Sequence, residues 1–150
     1  MKRRVLLHVA LPILLGGTFY LLLRRDDIAL FRAVDAVGLG RALDTLRVVT
    51  RAFASSIPGP LSGSAPDAAW AYAVGAAVAL VWSEDRASRA ARVWLAAGFA
   101  AAVAIELAQA AHWIPGVFDP IDLAAIAAAY AVGAAWNRAR GRVQGCVSSD

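Results

Sequence analysis

Residues 104–126 read AIELAQAAHWIPGVFDPIDLAAI. The two flanks are apolar on every side rather than along one stripe, which is the pattern of helices surrounded by apolar material. Between them stands WIPGVFDP, whose prolines and glycine mark a tight turn. The stretch therefore reads as a hairpin of two membrane helices. It also carries polar groups that such a hairpin has to accommodate: Glu106, Gln109 and His112 before the turn, Asp119 and Asp122 after it.

Working outward, the rest of the chain has the same character. Of its 150 residues, 60% are hydrophobic and only 17% charged, more apolar than a soluble domain of this size. A soluble alanine-rich bundle would need amphipathic stripes of helical period, and the long apolar segments lack them. The expected fold is all-α: a single polytopic membrane domain of four transmembrane helices, at about 5–23, 66–82, 90–111 and 121–136. The second and fourth apolar runs are short, and reach a spanning length only if their polar starts near Pro66 and Pro120 belong to the helix. The first follows Lys2, Arg3 and Arg4, has no small-x-small cleavage site and runs into Arg24 and Arg25, so it reads as a retained anchor rather than a signal.

The charge is +4, from 15 basic and 11 acidic residues, and the basic residues stand beside the apolar segments rather than among aromatics on one surface. This suits membrane orientation, not nucleic-acid binding. Lys2, Arg3 and Arg4 precede span one, Arg86, Arg89 and Arg92 separate spans two and three, and Arg138, Arg140 and Arg142 follow span four; the 112–120 connection has no basic residue other than His112. The positive-inside rule then puts both termini in the cytoplasm. Trp70 and Trp113 fall at the outer ends, Trp82, Trp94 and Trp136 at the inner ones, as interfacial belts.

The long 24–65 connection carries six arginines and four aspartates. Within it, Ile28, Phe31 and Val34 share one helical face, and Leu43, Leu46 and Phe53 another, opposite Arg47 and Arg51. Two short amphipathic helices on the outer surface follow, and then SSIPGPLSGSAP reads as a loop. The heptapeptide AYAVGAA occurs at 71–77 and again at 129–135, from a duplicated helical hairpin or from coincidence in an alanine-rich chain. Either way Gly75 and Gly133 offer smooth surfaces for close helix approach.

Asp67, Asp119 and Asp122 stand beside prolines at helix starts, where carboxylates cap free amides. Glu106 is no cap. It lies six residues before His112, about 9 Å down the helix from the outer end at 1.5 Å per residue, and a carboxylate at such depth costs on the order of 2–3 kcal/mol unless it faces the bundle interior. Gln109 and Trp113 continue its face of the helix, and the tight turn brings Asp122 within range. The candidate site is an outward-facing pocket of Glu106, Gln109, Asp119 and Asp122, with Asp67 from span two and His112.

These residues carry a family resemblance. E-x-x-Q near the end of a penultimate span, a short P-G turn, F-D-x-x-D, and a small-residue span with Gly133 eleven residues after the second aspartate resemble the VanZ-like membrane proteins over residues 103–136, with weaker agreement at PDAAWAYA. The resemblance implies a helical bundle and, for the founding members, low-level resistance to the glycopeptide teicoplanin. Two positions depart from the pattern: Val117 stands where relatives often have Arg, and Ile126 where they often have Asn.

Three functions follow from these readings. The first is an envelope protein whose pocket engages a membrane lipid, wall precursor or amphiphile. The second is a non-catalytic subunit docked on another membrane protein or on its own copy, and the third a small proton-coupled transporter using Glu106. Catalysis is not expected: there is no nucleophile with an adjacent base and no dense ligand motif, so no catalytic residue, metal or cofactor is assigned. The single Cys146 excludes an intrachain disulfide and a cysteine zinc site.

Overall fold

The computed structural model describes residues 1–23, 29–54, 59–85, 87–114 and 117–145. Ile28, the SSIP segment at 55–58, Arg86, the Pro115–Gly116 turn and Cys146 lie outside the described residues, as do the side chains of Phe31, Arg51, Phe53, Arg138, Arg140 and Arg142. Every described element is helical. The order is α1 (Lys2–Val5), a π-helical turn (Leu6–Ala10), α2 (Leu11–Leu23), α3 (Ala29–Ala36), α4 (Gly40–Ala54), α5 (Gly59–Val81), α6 (Arg89–Ala110) and α7 (Pro120–Gly145).

Three of these helical runs, Lys2–Leu22, Gly63–Val81 and Arg89–Ala110, are long and apolar enough to cross a membrane, and the apolar part of α7, Pro120–Trp136, is shorter. The first run joins α1, the π turn and α2 end to end. Its π turn has a local cause. Pro12 has no amide hydrogen, and its ring crowds the carbonyl four residues earlier, that of His8. Widening the helix around His8 relieves that crowding without breaking the rod.

Helix α5 is the hub, packed against α7 most extensively and also against α2, the π turn and α6. Gly16 of α2 lies beside Pro66, Ala69 and Trp70, whereas His8 lies beside Tyr72, so the first rod runs antiparallel to α5. Ser64 meets Asp122 and Gly75 meets Tyr130 and Ala134, so α5 and α7 run parallel. The up-and-down order places Lys2, Val81, Arg89 and Trp136 at one end, and the start of α5 with Ala110 and Pro120 at the other.

The α5–α7 seam is made by the repeated heptapeptide packing on itself. A Cβ on Gly75 would meet the Tyr130 carbonyl oxygen at 2.5 Å and the Ala134 nitrogen at 3.1 Å. A Cβ on Gly133 would meet the equivalent atoms of the other helix, the Tyr72 carbonyl oxygen and, at 3.0 Å, the Ala76 nitrogen. The contact is reciprocal, as in a parallel pair related by a local two-fold axis, and Ser64 and Asp122 are equivalent positions across that axis. Such symmetry is what a duplicated hairpin produces. Two backbones this close gain dispersion contacts along the whole crossing, which drives association where lipid removes the hydrophobic incentive. The core beside it is correspondingly small, built on Ala71, Val103, Ile126 and Tyr130. Large apolar side chains point outward instead, Leu14, Val81, Trp94 and Ile105 among them. The Tyr130 hydroxyl ties α7 to α6 by donating to the Leu95 carbonyl at 2.6 Å, with Phe99 edge-on at 5.5 Å.

One expectation needs correction. Residues 59–65, read as loop from their Pro, Gly and Ser content, are the first turns of α5. Pro60 tolerates a first turn because its missing amide has no partner to lose there, and Pro66 inside the helix is buried against α2 at Gly16. Tertiary packing overrides local propensity. The amphipathic helix expected from Leu43, Leu46 and Phe53 forms as α4, packed on α2. Arg47 is 5% exposed, while Leu46, Val48 and Val49 are exposed. Beside lipid, apolar side chains gain by facing outward and a charged one by facing the protein.

Candidate functional site

Helix ends build the site. Asp119 caps α7: its Oδ1 accepts the Ile121 amide at 2.8 Å, and its carbonyl accepts the Leu123 amide at 3.1 Å. Pro120 then occupies the first helical position, where its fixed φ suits the turn. This puts Asp122 at the third position of α7, turned toward α5, where the Ser64 hydroxyl donates to its Oδ1.

Helix α6 arrives from the other end of the bundle. Ser88 caps its start by accepting the Ala91 amide at 3.1 Å. Its finish at Ala110 is a Schellman motif: the His112 amide donates to the Gln109 carbonyl and the Trp113 amide to the Ala108 carbonyl, both at 2.9 Å. One turn before that finish, Glu106 is directed inward and is 5% exposed. The backbone amide of Asp119 faces one side of its carboxylate, and the charges of Asp122, Asp67 and Asp119 all reach it. The other oxygen, Oε2, is buried with no hydrogen-bond partner among the described atoms.

The structure thus brings Glu106, Asp119, Asp122 and Asp67 together at one end of the bundle, with Gln109 half-buried one turn beyond Glu106. His112 does not join them. It is exposed in the turn with φ +58°, the left-handed residue that closes the Schellman motif. Trp113, 83% exposed, lies past the end of α6 and leaves the Glu106 face because the helix stops first. Asp119 is both cap and wall. Asp122 is held by a side chain rather than by its own helix start, and Asp67 lies in the interior of α5, eight residues past its beginning, so it is no cap.

Ser64 was missed by sequence reasoning, because it lies in a segment read as loop. A second polar contact was missed as well. Toward the other end of the bundle, His8 Nδ1 lies 2.7 Å from the Tyr72 hydroxyl, and its ring is 5.2 Å from that of Trp136. A lone histidine in an apolar run has no periodic signal; Pro12 four residues later was the available clue to a distorted turn there.

The groups gathered here are carboxylates and a hydroxyl, suited to charge and hydrogen bonding. Among the described residues, no three His, Cys, Asp or Glu side chains converge as metal ligands do. No family model, curated protein or solved structure matches the chain.

Proposed function

We propose that this chain is a four-span, VanZ-like protein of the bacterial cytoplasmic membrane, with both termini inside and a polar pocket open to the outer face. The pocket engages the polar head of a cell-envelope lipid, wall precursor or other amphiphile without chemical transformation. One observation carries the reading: Glu106, buried in the last turns of an apolar helix, meets carboxylates of two other helices at one end of the bundle and leaves Oε2 without a partner. A carboxylate with only a packing role gains nothing from that arrangement, since burial without compensation costs several kcal/mol or more.

Counting α7 as the fourth span is supported by its packing along α5. Its apolar part, Pro120–Trp136, is about 25 Å long, and the helix continues to Gly145. The outward assignment is supported by the exposed Lys2, Arg3 and Arg4 at the opposite end from the site. If the arginine that VanZ-like proteins often carry in the turn pairs the carboxylates, that pairing is missing here, where Val117 stands, and the glycopeptide role of the founding members is not carried over.

The test is complementation of a deletion strain, scored as growth in a panel of envelope-active amphiphiles. Glu106→Gln should reach the membrane at wild-type level yet fail to restore the wild-type response. Full restoration would overturn the reading. Co-purification of one stoichiometric membrane partner lost from its complex on deletion would favour the subunit function instead.

A further inference from the structure

The hydrogen bonds already made at the site restrict what it can take. The Ser64 hydroxyl gives its hydrogen to Asp122, and the Asp119 carboxylate accepts the Ile121 amide. What is left over at the bottom of the cluster is acceptor capacity, concentrated in the buried Oε2 of Glu106. The described charges that reach Glu106 are three aspartates, all of one sign. An occupant reaching Oε2 has to supply N–H or O–H donors, and positive charge on it suits the carboxylates of Glu106 and Asp122.

Resting on the outward-pocket reading above, we propose that the cluster binds a primary ammonium group, held by Glu106 and Asp122. A protonated amine carries three donors on one charged centre, enough to meet two carboxylates at once. A quaternary ammonium has the charge but no N–H. A metal ion needs several ligands within coordination distance, and the described acidic side chains do not come that close together. The surroundings select an amine with an apolar tail. Trp113, Phe118 and Ile121 are exposed around the same end, presenting apolar surface at the level where a lipid headgroup passes into its chains.

The experiment uses the full chain purified in nanodiscs containing equal parts phosphatidylethanolamine and phosphatidylcholine, with the lipid retained after transfer to detergent counted by native mass spectrometry. The headgroups differ in the three N–H donors, so retention should favour phosphatidylethanolamine by about tenfold, the size of one charge-assisted hydrogen bond. Glu106→Gln should remove that preference, and Asp122→Asn should reduce it, in protein whose helical circular dichroism is unchanged. Free ethanolamine at millimolar concentration distinguishes the sources: displacement of the lipid assigns the site to a soluble amine, and resistance assigns it to the lipid. Equal retention of both lipids by the wild type overturns the proposal, as does displacement by magnesium chloride at concentrations where ethanolamine has no effect. If the lipids are not distinguished and Glu106→Gln still fails to complement, the pocket stands with a different ligand; if Glu106→Gln complements fully, the pocket reading itself is lost.

Discussion

Gly75→Ala and Gly133→Ala set two effects of opposite sign against each other. In a helix interior, alanine is favoured over glycine by roughly 1 kcal/mol. At the α5–α7 seam, however, the added methyl on Gly75 would sit 2.5 Å from the Tyr130 carbonyl oxygen, where ordinary contact begins at 3.4 Å. The obstructing atoms are backbone, which cannot rotate away, so the helices have to separate along the crossing. Overpacking of this kind costs about 1–3 kcal/mol, and a rigid backbone obstacle belongs at the upper end. The expected net loss is about 2 kcal/mol for each substitution. Because the contact is reciprocal, the two losses should be similar, and the double variant should lose less than their sum, since one separation relieves both clashes. Gly17→Ala is the control: its Cβ would have nothing within 4 Å, so it should be neutral or stabilising by up to about 1 kcal/mol. Reversible unfolding in mixed micelles, followed by far-ultraviolet circular dichroism, measures all four variants. Gly75→Ala or Gly133→Ala matching the stability of Gly17→Ala would refute the close-seam account.

Further outcomes follow from other contacts. His112→Gly should stabilise the protein by about 1 kcal/mol, because glycine enters the left-handed cap at φ +58° without the strain a Cβ brings; a loss of stability in the same unfolding assay would contradict the cap reading. Tyr72→Phe removes the hydroxyl beside His8 and should lower stability by about 1 kcal/mol, with a change in tryptophan emission from the neighbouring Trp136; an unchanged melt and spectrum would argue that the π turn is held by packing alone. Ser88→Ala should cost about 1 kcal/mol by leaving the Ala91 amide uncapped, measured as before, and a null result would place the start of α6 under tertiary control.

How far the sequence discloses this molecule depends on the range of the interaction concerned. The apolar runs, the tight turn after Ala110 and the cap at Asp119 are local, and they are legible from residue type and spacing. So is Glu106, since its depth in an apolar helix alone requires an inward direction. The start of α5 was not legible, because its Pro and Gly content argues for loop and only the contact of Gly16 with Pro66 across helices argues otherwise. Periodicity showed the helix of α4 but not the neighbour of each face, because it marks a stripe without saying whether that stripe meets protein or lipid. Ser64 became part of the site through register, lying 58 positions before Asp122 in a repeat whose self-contact had to be seen. His112 was drawn in by its proximity in sequence, whereas its backbone conformation turns it away.

The central claim is an acidic pocket that opens to the outer face at the converging ends of α5, α6 and α7. Its most direct test places single cysteines at Gln109, Val117 and Ser88 in a Cys146→Ala background, labelled in intact cells by impermeant methanethiosulfonates bearing a trimethylammonium or a sulfonate group. Gln109→Cys and Val117→Cys should react and Ser88→Cys should not. The cation-to-anion rate ratio at Gln109→Cys should exceed that at the exposed Val117→Cys by about tenfold or more, because clustered carboxylates concentrate cations. Labelling at Ser88→Cys alone would turn the pocket to the cytoplasm, and equal ratios at Gln109→Cys and Val117→Cys would contradict an acidic pocket altogether.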